Sequence, residues 1–496
     1  MDQYSKYENL PRLLKRFSFE EKMKMATIQS CKSIAFNNNM KKGLDKIGIF
    51  PWVLETFVML SMEAKEHTNG NFQYKNENKF FKMCNAIWDA TSVILERQCG
   101  KFSAADIIFT GSALTQFHLQ ESSVIKLYRF WRIFSDNTEP TKLKEVFKKK
   151  TGAEYDDFLM LGYVLKTLFL VQSENNYRIK QKTLHYLLEI KFKNVSDYFL
   201  ISRENYVKMQ KHFTYESDDI YKYTYSLCPS YQYVLVENDG KIYFPLPHLI
   251  DQCITSSLLC RITEKDNHLR NQIGKNILEN YLFDIIKDSN VYDEVYKEQT
   301  YKKRGREAKS PDVLTRQNDD ILLVDSKSTI PNIGIRLFDP DGFDKNINIV
   351  AENVSKLYKQ IEMFDKYNPF KDCVSCGNKN IWGLVIVLED AYINRKYYYE
   401  KAKEKLGIED DMKFNWLISH IKVVSLYEVE SVCLQGGSLI EAIKNGYVNN
   451  PYNFTFSDYK LETNGFINED FKTFKNDLEK KTHYIFEEMN ELKVLV

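Results

Sequence analysis

The segment 310–328 reads SPDVLTRQNDDILLVDSKS, and it restricts what this chain can fold into more than any other. An apolar run, Ile321-Leu322-Leu323-Val324, follows the turn-forming Asn318-Asp319-Asp320 and ends in Asp325-Ser326-Lys327. A run with apolar residues at both alternating sets of positions belongs to a central strand buried on both faces. Val313-Leu314-Thr315 supplies the other arm of a β-hairpin. Side chains alternate along a strand, so Ile321, Leu323, Asp325 and Lys327 share one face. With a two-residue turn at Asp319-Asp320, Asn318 pairs with Ile321, Leu314 with Asp325 and Asp312 with Lys327. Cross-strand partners point the same way, so Asp312, Asp325 and Lys327 meet at one end of one face. A turn one residue longer or shorter breaks that parity.

Two carboxylates and an ammonium at the end of a buried strand are costly to desolvate without partners. A divalent cation offsets the cost, and Mg²⁺ accepts one or two carboxylates together with water and phosphate oxygens. Such an ion acidifies a bound water and shields charge on a phosphodiester. The lysine is suited to orienting that water or neutralising a pentacovalent phosphate. The plainer reading is a surface hairpin with an exposed Asp–Lys pair, because D-x-K triplets are common. Pro311-Asp312 upstream, the apolar lead-in and the strand parity together favour the catalytic reading.

The surroundings fit a domain built around that hairpin. A helix is expected over 267–288, with Ile273, Ile277, Leu278, Tyr281, Leu282, Ile285 and Ile286 as its core face. Glu279 sits beside that face, either as an auxiliary metal ligand or as a partly exposed helix acid. A strand over 291–300 leads into Lys302-Lys303-Arg304-Gly305-Arg306 and Lys309. Lys+Arg and Asp+Glu nearly cancel, 69 against 68, so any basic surface for nucleic acid must be local. This stretch is the best candidate for phosphate-backbone contact; a solvated hairpin tip is the other reading. The segment 331–346, rich in turn formers, reads as a lid or substrate-facing loop. A helix over 350–367 carries Gln360 beside its core stripe, as a water- or phosphate-holding group or as an ordinary exposed residue. Cys373-x-x-Cys376 is half a zinc knuckle with no second pair nearby.

The order helix, strand, strand, strand, helix, strand, with acids and a lysine at the ends of the second and third strands, resembles the PD-(D/E)XK nuclease superfamily. The resemblance rests on Pro311-Asp312 and Asp325-Ser326-Lys327 and covers roughly residues 266–390. Asp rather than Glu fills the D/E position, which the family allows. It implies that Asp312 and Asp325 bind Mg²⁺ or Mn²⁺, with the Ser326 carbonyl and Glu279 as further ligands. Lys327 would position the water, and Gln360 matches a less general family variant. The implied activity is endonucleolytic cleavage of DNA, with RNA as the alternative substrate. A nuclease domain joined to a helical domain resembles bacterial restriction or phage-defence effectors, which implies a homodimer or a partner subunit. A second reading is a catalytically silent module of the same fold that binds nucleic acid or a protein.

The expected architecture is therefore α+β and multidomain. An all-helical domain spans 1–220, where apolar residues recur every three or four positions. A β-hairpin connector spans 221–265, with Asn238-Asp239-Gly240 as its turn. A restriction-endonuclease-like αβββαβ domain with a mixed central sheet spans 266–435, and a helical extension spans 436–496. His67, His118, His185 and His212 lack acids at ligand spacing. No P-loop, G-x-G-x-x-G, G-x-S-x-G or H-E-x-x-H is present. With no apolar run of about 18 residues, no secretory signal and nine scattered cysteines, a cytoplasmic protein off the membrane is expected.

Overall fold

Apolar spacings of three and four produce helices throughout the first half of the chain, including Phe19–Asn37, Pro51–Glu63, Ser123–Ser135 (α1) and Tyr155–Val171. Pro51 occupies the first turn of its helix, where no backbone N–H is needed. The computed structural model describes residues 9–37, 49–66, 77–89, 102–116, 121–171, 179–213, 223, 226–336, 339–370, 380–445, 456 and 465–495. The expectation of an all-helical first half needs one correction. Leu200–Ser202 (β1) pairs in parallel with Leu235–Asn238 (β2), and β2 turns back antiparallel into Lys241–Tyr243 (β3). Asp239 and Gly240 take φ of 52° and 71° in that turn, as a two-residue hairpin turn demands. Three residues of β1 are too few to show alternation in a sequence.

Among the described residues, seven strands follow: Glu294–Lys297 (β4), Thr300–Lys303 (β5), Arg306–Lys309 (β6), Val313–Gln317 (β7), Asp320–Lys327 (β8), Ile381–Val387 (β9) and Ile421–Ser425 (β10). Five of them make one mixed sheet in the order β10-β9-β8-β7-β4. β10, β9 and β8 run parallel, while β8, β7 and β4 alternate in direction. β5 and β6 form a hairpin of their own, which the sequence reading folded into a single strand and a basic lead-in. The protein is thus α+β with mixed sheets.

β8 is the central strand, and its residues 321–326 are all buried, so both of its faces are covered. Its turn comes one residue earlier than expected: Gln317 pairs with Asp320, leaving Asn318 and Asp319 as the turn, with Asn318 at φ 54°. Each arm moves by one position, so the register moves by two and the parity survives. One further pair sets Asp312 opposite Asp325 rather than opposite Lys327.

The helix expected over 267–288 runs as Asn267–Gln272, a π-helical turn Ile273–Leu278, and Glu279–Asp288 (α2). Asp266 caps its start by accepting from the Leu269 N–H at 3.0 Å. The second flanking helix, Pro340–Ile361 (α3), begins ten residues before the expected start. Asp339 caps it, accepting from the Asp341 N–H, and Pro340 takes its first position. The segment expected to be a lid is therefore largely helical: Ile333–Arg336 is a short helix, and α3 begins at Pro340. Gly334 and Gly342 lie backbone to backbone there; a Cβ on Gly342 would stand 2.7 Å from Gly334 Cα.

The helical first half and the sheet share one contiguous set of buried apolar side chains, from Leu10 to Met489. A buried ion pair ties them together. Arg129 on α1 donates to both carboxylate oxygens of Glu430 at 2.8 and 2.5 Å, and Glu430 lies on Leu426–Cys433 (α4), directly after β10. Tyr281 on α2 donates to the same carboxylate at 2.8 Å. The final helix, Glu469–Glu491 (α5), buries Phe471, Phe474, Leu478, Ile485 and Met489, with Phe471 edge-on to Tyr128 of α1. No helix among the described residues is long and apolar enough to cross a membrane.

Candidate active site

Asp325 comes from the pleat of β8 near its C-terminal end, and its side chain is completely buried. Asp312 lies one residue before β7 and is 8% exposed. Its Oδ2 accepts two hydrogen bonds from Ser326, one from the backbone N–H at 2.7 Å and one from the hydroxyl at 2.9 Å. Ser326 thus enters the site as a double donor that fixes one carboxylate. Lys327 Nζ stands 3.5 Å from Asp325 Oδ2. A second lysine, Lys356 on α3, stands closer, 3.0 Å from Asp325 Oδ1. Both lysine side chains remain partly exposed, at 34% and 46%, so the cluster opens to solvent on the lysine side.

The negative groups crowd one another. Burial and the neighbouring Asp325 charge push the Asp312 carboxyl up to about 6, against the pull of the Ser326 hydrogen bonds and Lys327. Glu279, at the start of α2, feels the same corner. Burial, then the charges of Asp312 and Glu298, push it up to about 8, with Lys327 opposing. Burial works to lower the Lys356 ammonium, but the Asp325 carboxylate overrides it and holds the lysine above its ordinary value. Asp325 Oδ2 is buried and closes no hydrogen bond. Its ion-pair partner, the Lys327 ammonium at 3.5 Å, is too far for a strong hydrogen bond, so the oxygen keeps acceptor capacity in an acid-rich corner.

The structure brings Asp312, Asp325, Ser326 and Lys327 together and sets Glu279 within their electrostatic field. Among the described residues, no three His, Cys, Asp or Glu side chains stand together as a preassembled metal cage. Mg²⁺ asks for less: one or two carboxylates, with water and phosphate completing the shell. Asp312 and Asp325 are hard oxygen donors, and Asp325 Oδ2 closes no hydrogen bond, so this donor set fits that ion or Mn²⁺.

Gln360 is buried on α3, and its Nε2 donates to the Lys309 carbonyl at 3.0 Å. It anchors the β5–β6 hairpin rather than facing solvent, and its Oε1 has no partner. The hairpin carries all the basic candidates. Lys302, Lys303, Arg304, Arg306 and Lys309 are exposed, while Tyr301 is buried against Tyr367 at 4.9 Å between ring centres. Lys309 is paired with Glu298 at the base of the hairpin, so it is less free than its four neighbours.

Sequence reasoning missed Lys356 and Glu298 as members of this corner. Lys356 precedes Gln360 by one helical turn, so the two share a side of α3. Nothing local connects it to Asp325, 31 residues away. Cys373 and Cys376 lie outside the described residues. His185 is paired with Glu189 one turn along its own helix, an ordinary surface contact. The chain matches no family model, no curated protein and no solved structure.

Proposed function

We propose that this protein is a metal-dependent phosphodiester hydrolase of the PD-(D/E)XK type, cutting nucleic acid as an endonuclease. The observation that carries the reading is Asp325: a fully buried carboxylate beside a second carboxylate, flanked by two lysines, with one oxygen that closes no hydrogen bond. The order of the helix Asn267–Asp288, β4, β7, β8, α3 and β9 supports the superfamily, with the β5–β6 hairpin inserted between the first two strands.

Asp312 and Asp325 would hold the cation, with the Ser326 carbonyl and Glu279 as additional donors. A divalent cation at this position supplies an acidified water and charge shielding for the phosphate. Ser326 keeps Asp312 oriented through two donated hydrogen bonds, so this carboxylate presents its other oxygen without rotamer cost. Lys327 and Lys356 bracket Asp325, each with a partly exposed side chain. A phosphate entering from that side meets two cations before it meets the carboxylates. One lysine orients the attacking water, and the other neutralises charge developing on the phosphorus oxygens. The exposed hairpin cations bind flanking phosphates. A role in restriction or phage defence, alone as a homodimer or with a partner subunit, is the setting we favour.

A cleavage panel tests this. Linear, supercoiled and single-stranded DNA and RNA are incubated with Mg²⁺, Mn²⁺ or EDTA, using wild type and Lys327→Ala. Cleavage that needs the cation and is lost in the variant is expected. Cation-independent binding with no cleavage of any substrate would replace this reading with the silent binding module.

A further inference from the structure

The β5–β6 hairpin is a two-stranded ribbon with no other strand beside it among the described residues. Its base is fixed at three points. Gln299 and Ser310 exchange backbone and side-chain hydrogen bonds, Gln360 holds the Lys309 carbonyl, and Tyr301 packs on Tyr367. Beyond the Tyr301·Ala308 pair, every residue from 302 to 307 is exposed. The tip is Arg304-Gly305, with φ of 49° and 78°, a tight turn that adds no bulk.

The dimensions match one kind of surface. Two rungs and a turn at about 3.3 Å per residue project about 10 Å from the anchored base, and the strands lie about 4.8 Å apart. The major groove of B-form DNA is about 8.5 Å deep and about 12 Å wide, and it admits a two-stranded ribbon. The major groove of A-form RNA is deep and too narrow for one. Charge distribution agrees. Lys303 and Arg306 pair across the ribbon and share the face of Tyr301, which lies within electrostatic reach of Lys356. Arg304 stands at the tip, and the one acid of this part, Glu307, points to the other face opposite Lys302. A positive track therefore runs from the Asp325 corner through Lys356 along one face of the ribbon to its tip.

We infer that the β5–β6 ribbon seats in the major groove of B-form DNA and commits the site to double-stranded DNA, with Arg304 reaching the base edges. This rests on the hydrolase reading for what happens at Asp325 but not for the binding itself. Position supports it: Lys309 ends the ribbon, and Asp312 follows three residues later, so groove engagement sets where a strand passes the carboxylates.

Binding is measured by fluorescence anisotropy in EDTA, which removes cleavage. A 30-base-pair DNA duplex, the matching single strand and the matching RNA duplex are compared across a salt series. The DNA duplex is expected to bind about tenfold or more tightly than either alternative. The triple variant Lys303→Gln/Arg304→Gln/Arg306→Gln should lose about tenfold or more, with its log–log salt slope smaller by about 2 to 3. Arg304→Gln alone should lose part of that. Methyl green, which fills the major groove, should compete, whereas netropsin in the minor groove should not. Equal binding of the RNA duplex, an unchanged affinity in a triple variant that unfolds at the wild-type temperature, or competition by netropsin alone overturns the inference. Duplex binding through the ribbon without any cleavage would sink the hydrolase and leave this inference standing. Wild-type cleavage by the triple variant would do the reverse.

Discussion

Two of the clusters in which the protein buries charge are built on opposite terms. At Arg129–Glu430 both side chains are completely inaccessible, both oxygens of the acid are engaged by the guanidinium, and Tyr281 adds a third donor. At Asp312–Asp325 the acids face each other, one oxygen closes no hydrogen bond, and the balancing lysines lie partly in water. A sealed pair whose acid is fully engaged, although Arg129 Nη1 closes no hydrogen bond, serves to hold the helical half against the sheet. An open, mismatched one has unspent binding capacity, and such imbalance marks functional sites more than structural ones.

Neutralising an acid should therefore have opposite consequences at the two places. Asp325→Asn should lower cleavage by on the order of 10³-fold or more, from loss of the cation and its positioned water. It should leave the melting temperature unchanged or raised, because the repulsion on Asp312 disappears. A chain that unfolds on this change would make Asp325 a structural ion-pair member and break the contrast. Glu430→Gln leaves Arg129 buried and unbalanced, and should cost about 3–5 kcal/mol of stability in denaturant titration. Cleavage per folded molecule should stay near wild type. A Glu430→Gln protein as stable as wild type would show that the sealed pair holds nothing.

The contrast was half legible in the sequence. Alternation along 321–327 shows which residues share a face, and that inference survived an error in the turn. Asn318, which tolerates positive φ, starts the turn instead of Asp319, and a two-step shift in register preserves the face. The helix carrying Glu279 was visible from its periodicity. The early start of α3 was signalled by Asp339-Pro340, a cap followed by proline at the first helical position, but the surrounding glycines and asparagines disguised it as loop. β5 and β6 hid behind their charge, since exposed ribbons lack apolar alternation. Contacts made only by tertiary folding were invisible: Lys356 to Asp325, Gln360 to the Lys309 backbone, and Arg129 to Glu430 across 301 residues.

Lys356 sharpens the comparison next. If it acts on the phosphate, Lys356→Ala should reduce kcat by about 10²-fold, the usual cost of removing one charged donor from a reacting phosphate or oxyanion. Lys356→Arg should recover part of that loss, because the charge returns. If Lys356 merely balances Asp325, as Arg129 balances Glu430, its removal should lower stability and leave kcat near wild type. Single-turnover cleavage alongside thermal melting separates the two roles.

The smallest effect comes from protons. Asp312 and Glu279 are raised to about 6 and about 8, so the folded chain keeps protons that the unfolded chain releases at lower pH. Without a divalent cation, the contribution of these two groups to stability should therefore be greatest below the ordinary carboxyl range. It should decline as pH rises through about 6 for Asp312 and about 8 for Glu279, a loss of a few degrees in melting temperature. Glu121, beside the sealed pair, is pushed up to about 7 by burial and contributes with the same sign, so wild type must be compared with Asp312→Asn. The variant should show the shallower decline. Mg²⁺ binds the deprotonated carboxylates, so its stabilisation should grow across the same window and flatten the wild-type curve but not the variant's. Equal slopes for the two proteins in EDTA would mean that the acids at the end of β8 do not crowd each other, and the contrast with Arg129–Glu430 would lose its electrostatic basis.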